Sequence, residues 1–139
     1  MGVFVLSEDF SKVWTKLSKD WKTTLEQELA PLTEGQLNIL ELLLDSPRMK
    51  PSDLLQYLST TPAAITTILD RMEKNEFITR IRDEKDRRIV WIHVTEKGKQ
   101  EAARGASVKR EVIARSLDRI SSHNQQLLVY LLGKVASNE

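Results

Sequence analysis

Between Leu54 and Thr95 the apolar residues change their spacing twice, which leaves few folds open to the chain. Ile65, Ile68, Leu69 and Met72 recur at helical intervals, so residues 62–74 are read as an amphipathic helix with one buried face. Thr61 is placed to cap it, and Pro62 falls at the first helical position, where a missing N–H costs nothing. Its other face carries Ala63, Thr66, Thr67, Asp70 and Lys74, short and polar near the helix start. Alternation then replaces the helical period in Phe77–Arg82 and, in part, in Ile89–Val94, both rich in β-branched residues as strands are. Ahead of the helix, Pro51-Ser52-Asp53 opens a short helix capped by Ser52 or Asp53 and packed by Leu54, Leu55 and Leu58, and Ser59-Thr60-Thr61 is the turn.

Helix, turn, helix and hairpin in this order describe a winged helix-turn-helix. In that motif the second helix presents side chains to base edges, while the first crosses the phosphate backbone. Threonines suit such a face, because each can donate, accept or set its methyl against a thymine methyl. Between Arg80 and Arg88 the hairpin carries five basic and three acidic residues. Arginine beside an acidic neighbour at a loop tip fits a narrow minor groove, whose negative potential attracts a guanidinium that the carboxylate can orient.

The run Arg80-Ile81-Arg82-Asp83-Glu84-Lys85-Asp86-Arg87-Arg88, followed by Val94-Thr95-Glu96-Lys97-Gly98, resembles the wing signature of the MarR family of bacterial transcription regulators. Asp70-Arg71-Met72-Glu73-Lys74 resembles the end of that family's recognition helix, and the spacing between the blocks fits. The resemblance implies that Thr61, Ala63, Thr66, Thr67, Asp70, Arg71 and Lys74 face DNA from the helix, and Arg82, Lys85, Asp86, Arg87 and Arg88 from the wing. It makes Arg88 the groove-inserting arginine, Asp86 its orienting partner and Arg87 a phosphate contact. Two positions depart from the pattern: Glu76 stands where the family usually has glycine, with Asn75 expected to supply the left-handed cap, and Val94 replaces a leucine.

The flanks read as helices. Phe10, Val13, Trp14, Leu17, Trp21 and Leu25 form a stripe in residues 7–29, and Pro31 ends that helix's reach. Thr33 with Gln36 makes a capping box for residues 34–45, a nearly all-apolar scaffold helix broken by Ser46-Pro47. Thr95 caps a long helix to about Ile120, in which Gly105 among alanines implies close approach of another helix. Ser121 or Ser122 caps a last helix with Leu127, Leu128, Leu131, Leu132 and Val135 on its apolar side, a surface that wants a partner. The expected architecture is mainly α with a small β-hairpin wing; the resemblance implies that residues 33–100 bind double-stranded DNA, while 1–30 and 108–139 form a dimerisation base with a second copy.

Net charge is only +1, yet residues 1–47 hold four basic and eight acidic side chains, and residues 48–99 hold eleven basic and eight acidic. DNA affinity follows the local footprint, not the whole-chain sum. The acidic first third also leaves open a winged-helix module that binds protein and not DNA. No cysteine is present, which excludes disulfides, thiolate zinc sites and a cysteine-based peroxide sensor. No apolar run approaches the ~20 residues of a membrane helix. The N-terminus lacks the basic region of a signal peptide, so a cytoplasmic protein is expected. His93 and His123 read as ordinary surface or packing residues; no metal, cofactor or catalytic constellation is expected. The resemblance implies a small aromatic or phenolic effector, with Trp14, Leu17, Trp21, Leu40 and Leu44 as candidates to line its pocket.

Overall fold

The computed structural model describes residues 2–46 and 48–137, with only the backbone of residues 3 and 4. The chain runs α1 (Val3–Leu29), α2 (Glu34–Asp45), α3 (Pro51–Leu54), α4 (Pro62–Lys74), β1 (Ile78–Arg82), β2 (Val90–Val94), α5 (Glu96–Leu117) and α6 (Ser122–Ala136). It divides into two compact units, Glu26–Val108 and a second made of Met1–Leu25 with Lys109–Glu139.

In the Glu26–Val108 unit the caps set the helix ends. Thr33 accepts from the Gln36 amide at 3.1 Å while the Gln36 side chain accepts from the Thr33 amide, so α2 starts where the capping box places it. The stop expected at Ser46-Pro47 involves Pro47, which lies outside the described residues. Helix α3 is only one turn long. Asp53 reaches back to the Lys50 amide at 2.9 Å, so of the two expected caps, Ser52 and Asp53, it is Asp53 that serves, and the chain then tightens into i→i+3 turns through Tyr57. Leu37, Ile39, Leu40, Leu54, Ile65, Leu69, Met72 and Ile78 are fully buried. Each contributes about 1.5–3 kcal/mol through burial.

The strands pair antiparallel, Ile78 opposite Val94 through Arg82 opposite Val90. Met49 adds a single bridge to Ile92, whose amide donates to the Met49 carbonyl at 2.9 Å. Gly105 is buried, and a Cβ there would meet the Leu37 side chain at 2.7 Å, which is the close approach its position implied. Arg104 clasps the end of α1, donating to the carbonyls of Glu28 and Leu29 and to the Glu101 carboxylate. A cation on the last carbonyls of a helix satisfies acceptors that have no intrahelical donor.

Helix α4 ends in a Schellman turn. The Phe77 amide donates to the Met72 carbonyl at 2.9 Å and the Glu76 amide to the Glu73 carbonyl at 3.0 Å. The left-handed residue is Glu76 (φ 65°), whereas Asn75 keeps φ −80°. The cap expected of Asn75 is therefore displaced by one residue, because the two amides reach their carbonyls only if the residue before Phe77 turns left-handed. A side chain in that region costs roughly 1 kcal/mol, which glycine avoids. Glu76→Gly should accordingly raise stability by about 0.5–1 kcal/mol, read as a rise in thermal midpoint of a few degrees.

The other unit has a different character. Its first helix begins at Val3, earlier than the expected Ser7, because no proline or glycine between Val3 and Leu6 stops it. Helix α5 stops at Leu117, short of Ile120, and Ser121 caps α6 by accepting from the Asn124 amide at 3.2 Å. Among its described residues, Leu25 and Val112 are the large apolar side chains that are buried. Phe10, Val13 and Trp14 on α1, and Leu127, Leu131 and Val135 on α6, remain exposed.

Candidate nucleic-acid interface

Thr61 caps α4 by accepting from the Ala64 amide at 3.2 Å, and Ile65, Leu69 and Met72 point inward. That orientation leaves Thr61, Ala63, Thr66, Thr67, Asp70, Arg71 and Lys74 exposed. The Thr66 and Thr67 hydroxyls donate back to the carbonyls of Pro62 and Ala63 at 3.0 and 3.1 Å, as β-branched hydroxyls in helices can. Asp70, expected among the DNA-facing residues, is exposed on this face and accepts from Arg80 of β1 at 2.6 Å.

The wing is organised by Asp83. One carboxylate oxygen accepts from the amides of Lys85 and Asp86, at 2.9 and 3.0 Å, and closes the turn. The other accepts the Trp91 indole N–H at 2.9 Å and faces the Arg48 guanidinium, which lies 3.8 Å over the Trp91 ring. These donors, the Trp91 indole first, hold the Asp83 carboxyl at about 2, well below the usual carboxylate value of 3.8. A depressed folded value means the stabilisation is complete above the unfolded value and lost as pH falls through the folded one. The Trp91 indole N–H resonance should therefore titrate with a midpoint near pH 2, and a midpoint near 4 would show that Asp83 does not hold the indole.

At the tip, Asp86 and Arg88 form a two-pronged pair, Nε to Oδ1 at 3.0 Å and Nη2 to Oδ2 at 2.9 Å. The Arg88 side chain is nonetheless 90% exposed, so the guanidinium is oriented without being covered. The Arg88 hydrogen bonds lower the Asp86 carboxyl below its ordinary range, and the pair stays charged. Arg82 donates to the Arg87 carbonyl at 2.8 Å and braces the turn, while Lys85 and Arg87 are exposed. Sequence reasoning passed over Arg48, Asp83 and Trp91 as a cluster; a tryptophan in a short, charged hairpin was the available signal.

The candidate effector residues divide. Trp14, Leu17 and Trp21 line an apolar cavity of about 460 Å³ with residues of α5 and α6, and Trp21 donates to the Ser116 hydroxyl at 2.8 Å. Leu40 and Leu44 do not belong to it. Both lie on α2 in the other unit, Leu40 fully buried in its core and Leu44, one turn further on near the helix end, 45% exposed. Among the described residues no cluster of three or more His, Asp or Glu could hold a metal, and no helix is long and apolar enough to cross a membrane.

A capped helix with an exposed polar face, followed by a two-stranded wing with an arginine at its tip, defines a winged helix-turn-helix protein. Residues 32–90 match the model described as the MarR family, and over these residues the chain is similar to that family. Its proteins are transcription regulators and not enzymes. The chain is 27% identical over 124 residues to YpoP, an uncharacterised HTH-type transcriptional regulator of Bacillus subtilis (strain 168), covering 89% of this chain and 86% of that one. The crystal structure of YusO from Bacillus subtilis superposes with a TM-score of 0.82 at 21% identity, covering all of both chains. A cysteine-to-serine mutant of MarR from E. coli, complexed with operator DNA, superposes with a TM-score of 0.71 at 20% identity, covering 99% of this chain and all of that one.

Proposed function

We propose that the chain is a dimeric, sequence-specific DNA-binding regulator that represses from a pseudo-palindromic operator and is released by a small aromatic or phenolic ligand. The observation that carries the reading is the pairing of α4's exposed polar face with an arginine that Asp86 orients yet leaves 90% exposed. In this reading α4 enters the major groove, Arg88 enters the minor groove, and Arg87 and Lys85 meet phosphates. That E. coli MarR with this fold was crystallised on operator DNA favours it. Residues 33–100 are then the DNA-binding part. The apolar faces of α1 and α6 form the dimerisation base with a second copy, since so much exposed apolar surface is uncommon on a monomer. Two copies would read half-sites about 34–36 Å apart. The Trp14–Trp21 cavity is the effector's place. Such a regulator works in the bacterial cytoplasm, on the nucleoid when bound to DNA.

The test is fluorescence anisotropy on a duplex from upstream of the protein's own gene, against a scrambled duplex, at two salt concentrations. Binding that prefers the native duplex and falls steeply with salt is expected. Equal, salt-insensitive signals would turn the reading toward a winged-helix module that docks on protein.

A further inference from the structure

We propose that Arg80 is a positioning residue that locks the wing to the recognition helix, acting through Asp70 and Glu73 without itself touching DNA; the proposal rests on the DNA-binding reading above. Arg80 sits in the middle of β1, opposite Ile92. Its Nη2 donates to Asp70 Oδ1 at 2.6 Å and to Glu73 Oε1 at 3.0 Å, and its backbone N–H donates to Glu73 Oε2 at 3.1 Å. One strand residue thus holds two side chains of α4, and both oxygens of Glu73 end on that residue.

Between α4 and β1 the chain turns through the left-handed Glu76. The contacts from Arg80 lie beyond that turn and tie strand to helix a second time. They also solve an electrostatic problem. Asp70 and Glu73 are three residues apart, hence neighbours on one helix face, where like charges repel each other. Left alone they would bring two negative charges toward a polyanion. The guanidinium between them removes that repulsion, and its hydrogen bonds keep the Glu73 carboxyl below its ordinary range.

Two arginines of one hairpin are therefore in opposite states. The Arg80 side chain is 25% exposed and fully engaged with carboxylates of α4, whereas that of Arg88 is 90% exposed and turned outward. Only the second is available to a groove.

The experiment is a mutant cycle on the full chain: Arg80→Ala, Asp70→Ala with Glu73→Ala, and all three together. Affinity is measured on the upstream duplex over a range of salt, and hydrogen exchange of the wing amides is measured without DNA. Arg80→Ala is expected to weaken binding about tenfold, within the range for contacting residues, and to leave the salt slope unchanged. In the Asp70→Ala, Glu73→Ala background the same substitution should have less than about a twofold effect, because its partners are gone. Exchange across β1 and β2 should quicken in the single variant.

Equal losses in both backgrounds, with the salt slope reduced by about 0.9, would overturn the proposal and make Arg80 an ordinary phosphate contact. Arg80→Lys keeps the decision open should the triple variant fail to fold. Lysine serves a phosphate as a point charge but cannot fork between two carboxylates, so it should behave like alanine, and wild-type affinity with lysine would sink the idea. If the wild-type protein does not discriminate the native duplex from a scramble, the DNA reading fails. The exchange arm then decides alone, and unchanged wing protection in Arg80→Ala overturns the lock.

Discussion

Gly98→Ala is expected to destabilise the protein by about 3 kcal/mol, more than any surface change considered above, and to lower the thermal midpoint by roughly 10 °C. A Cβ built on Gly98 would collide with the Phe77 carbonyl oxygen and approach Val94 Cγ1 to 2.8 Å. The obstacle is backbone, and it is pinned. The Phe77 carbonyl accepts the Thr95 amide at 3.0 Å, the Thr95 hydroxyl donates to the Glu76 carbonyl at 2.6 Å, and the same hydroxyl accepts the Gly98 amide at 3.0 Å. The end of α4, the base of the hairpin and the first turn of α5 therefore meet at one joint with no room for a methyl group. Gly105→Ala is the informative contrast. There the neighbour is a leucine side chain, and alanine regains about 1 kcal/mol of helix propensity, so the net loss should be clearly smaller. Thermal denaturation of the two variants side by side checks the ranking; equal losses would mean that the joint is not rigid.

Arg88→Ala should weaken binding to the native duplex by about 1–3 kcal/mol, roughly five- to 150-fold, while leaving the thermal midpoint unchanged. The side chain pairs with Asp86 and is 90% exposed, so the fold loses little with it. Asp86→Ala separates charge from orientation. It removes a negative charge and on that account alone should favour DNA. Weakened binding in that variant, measured by anisotropy, would show that the fork's aim matters, whereas tighter binding would show that only charge does. An Arg88→Ala protein that binds as the wild type does would remove the wing from the interface.

Where a cap residue and a hydrophobic period agreed, the sequence could be read to the residue. Thr33 with Gln36 and Thr61 with Pro62 place α2 and α4 where the structure has them. Where one signal stood alone, reading was looser. Ser7 looked like a start, yet nothing before it broke the helix, and α3 proved shorter than its leucines suggested. Glu76 was legible as a departure from glycine, but which residue turns left-handed follows from two amides reaching back over the turn, and no period records that. Side-chain partnerships across the wing were the least visible. Arg48 meets Asp83 and Trp91 from a separate loop, and Arg80 meets Asp70 ten positions away, because pairing depends on the strands' register and not on local composition. Of the apolar residues singled out on α1 and α2, Trp14, Leu17 and Trp21 share a cavity, while the leucines of α2 have the same apolar character and a different neighbourhood.

The back-bonded threonines of α4 carry a consequence for what an operator can offer. With the Thr66 and Thr67 hydrogens already given to Pro62 and Ala63, these side chains arrive as methyl groups and lone pairs. Such a surface suits base edges that themselves donate, or that present a methyl, and has nothing to give to the paired acceptors of guanine. Deoxyuridine in place of thymidine, which deletes only a 5-methyl group, is thus the base change this face should sense most sharply.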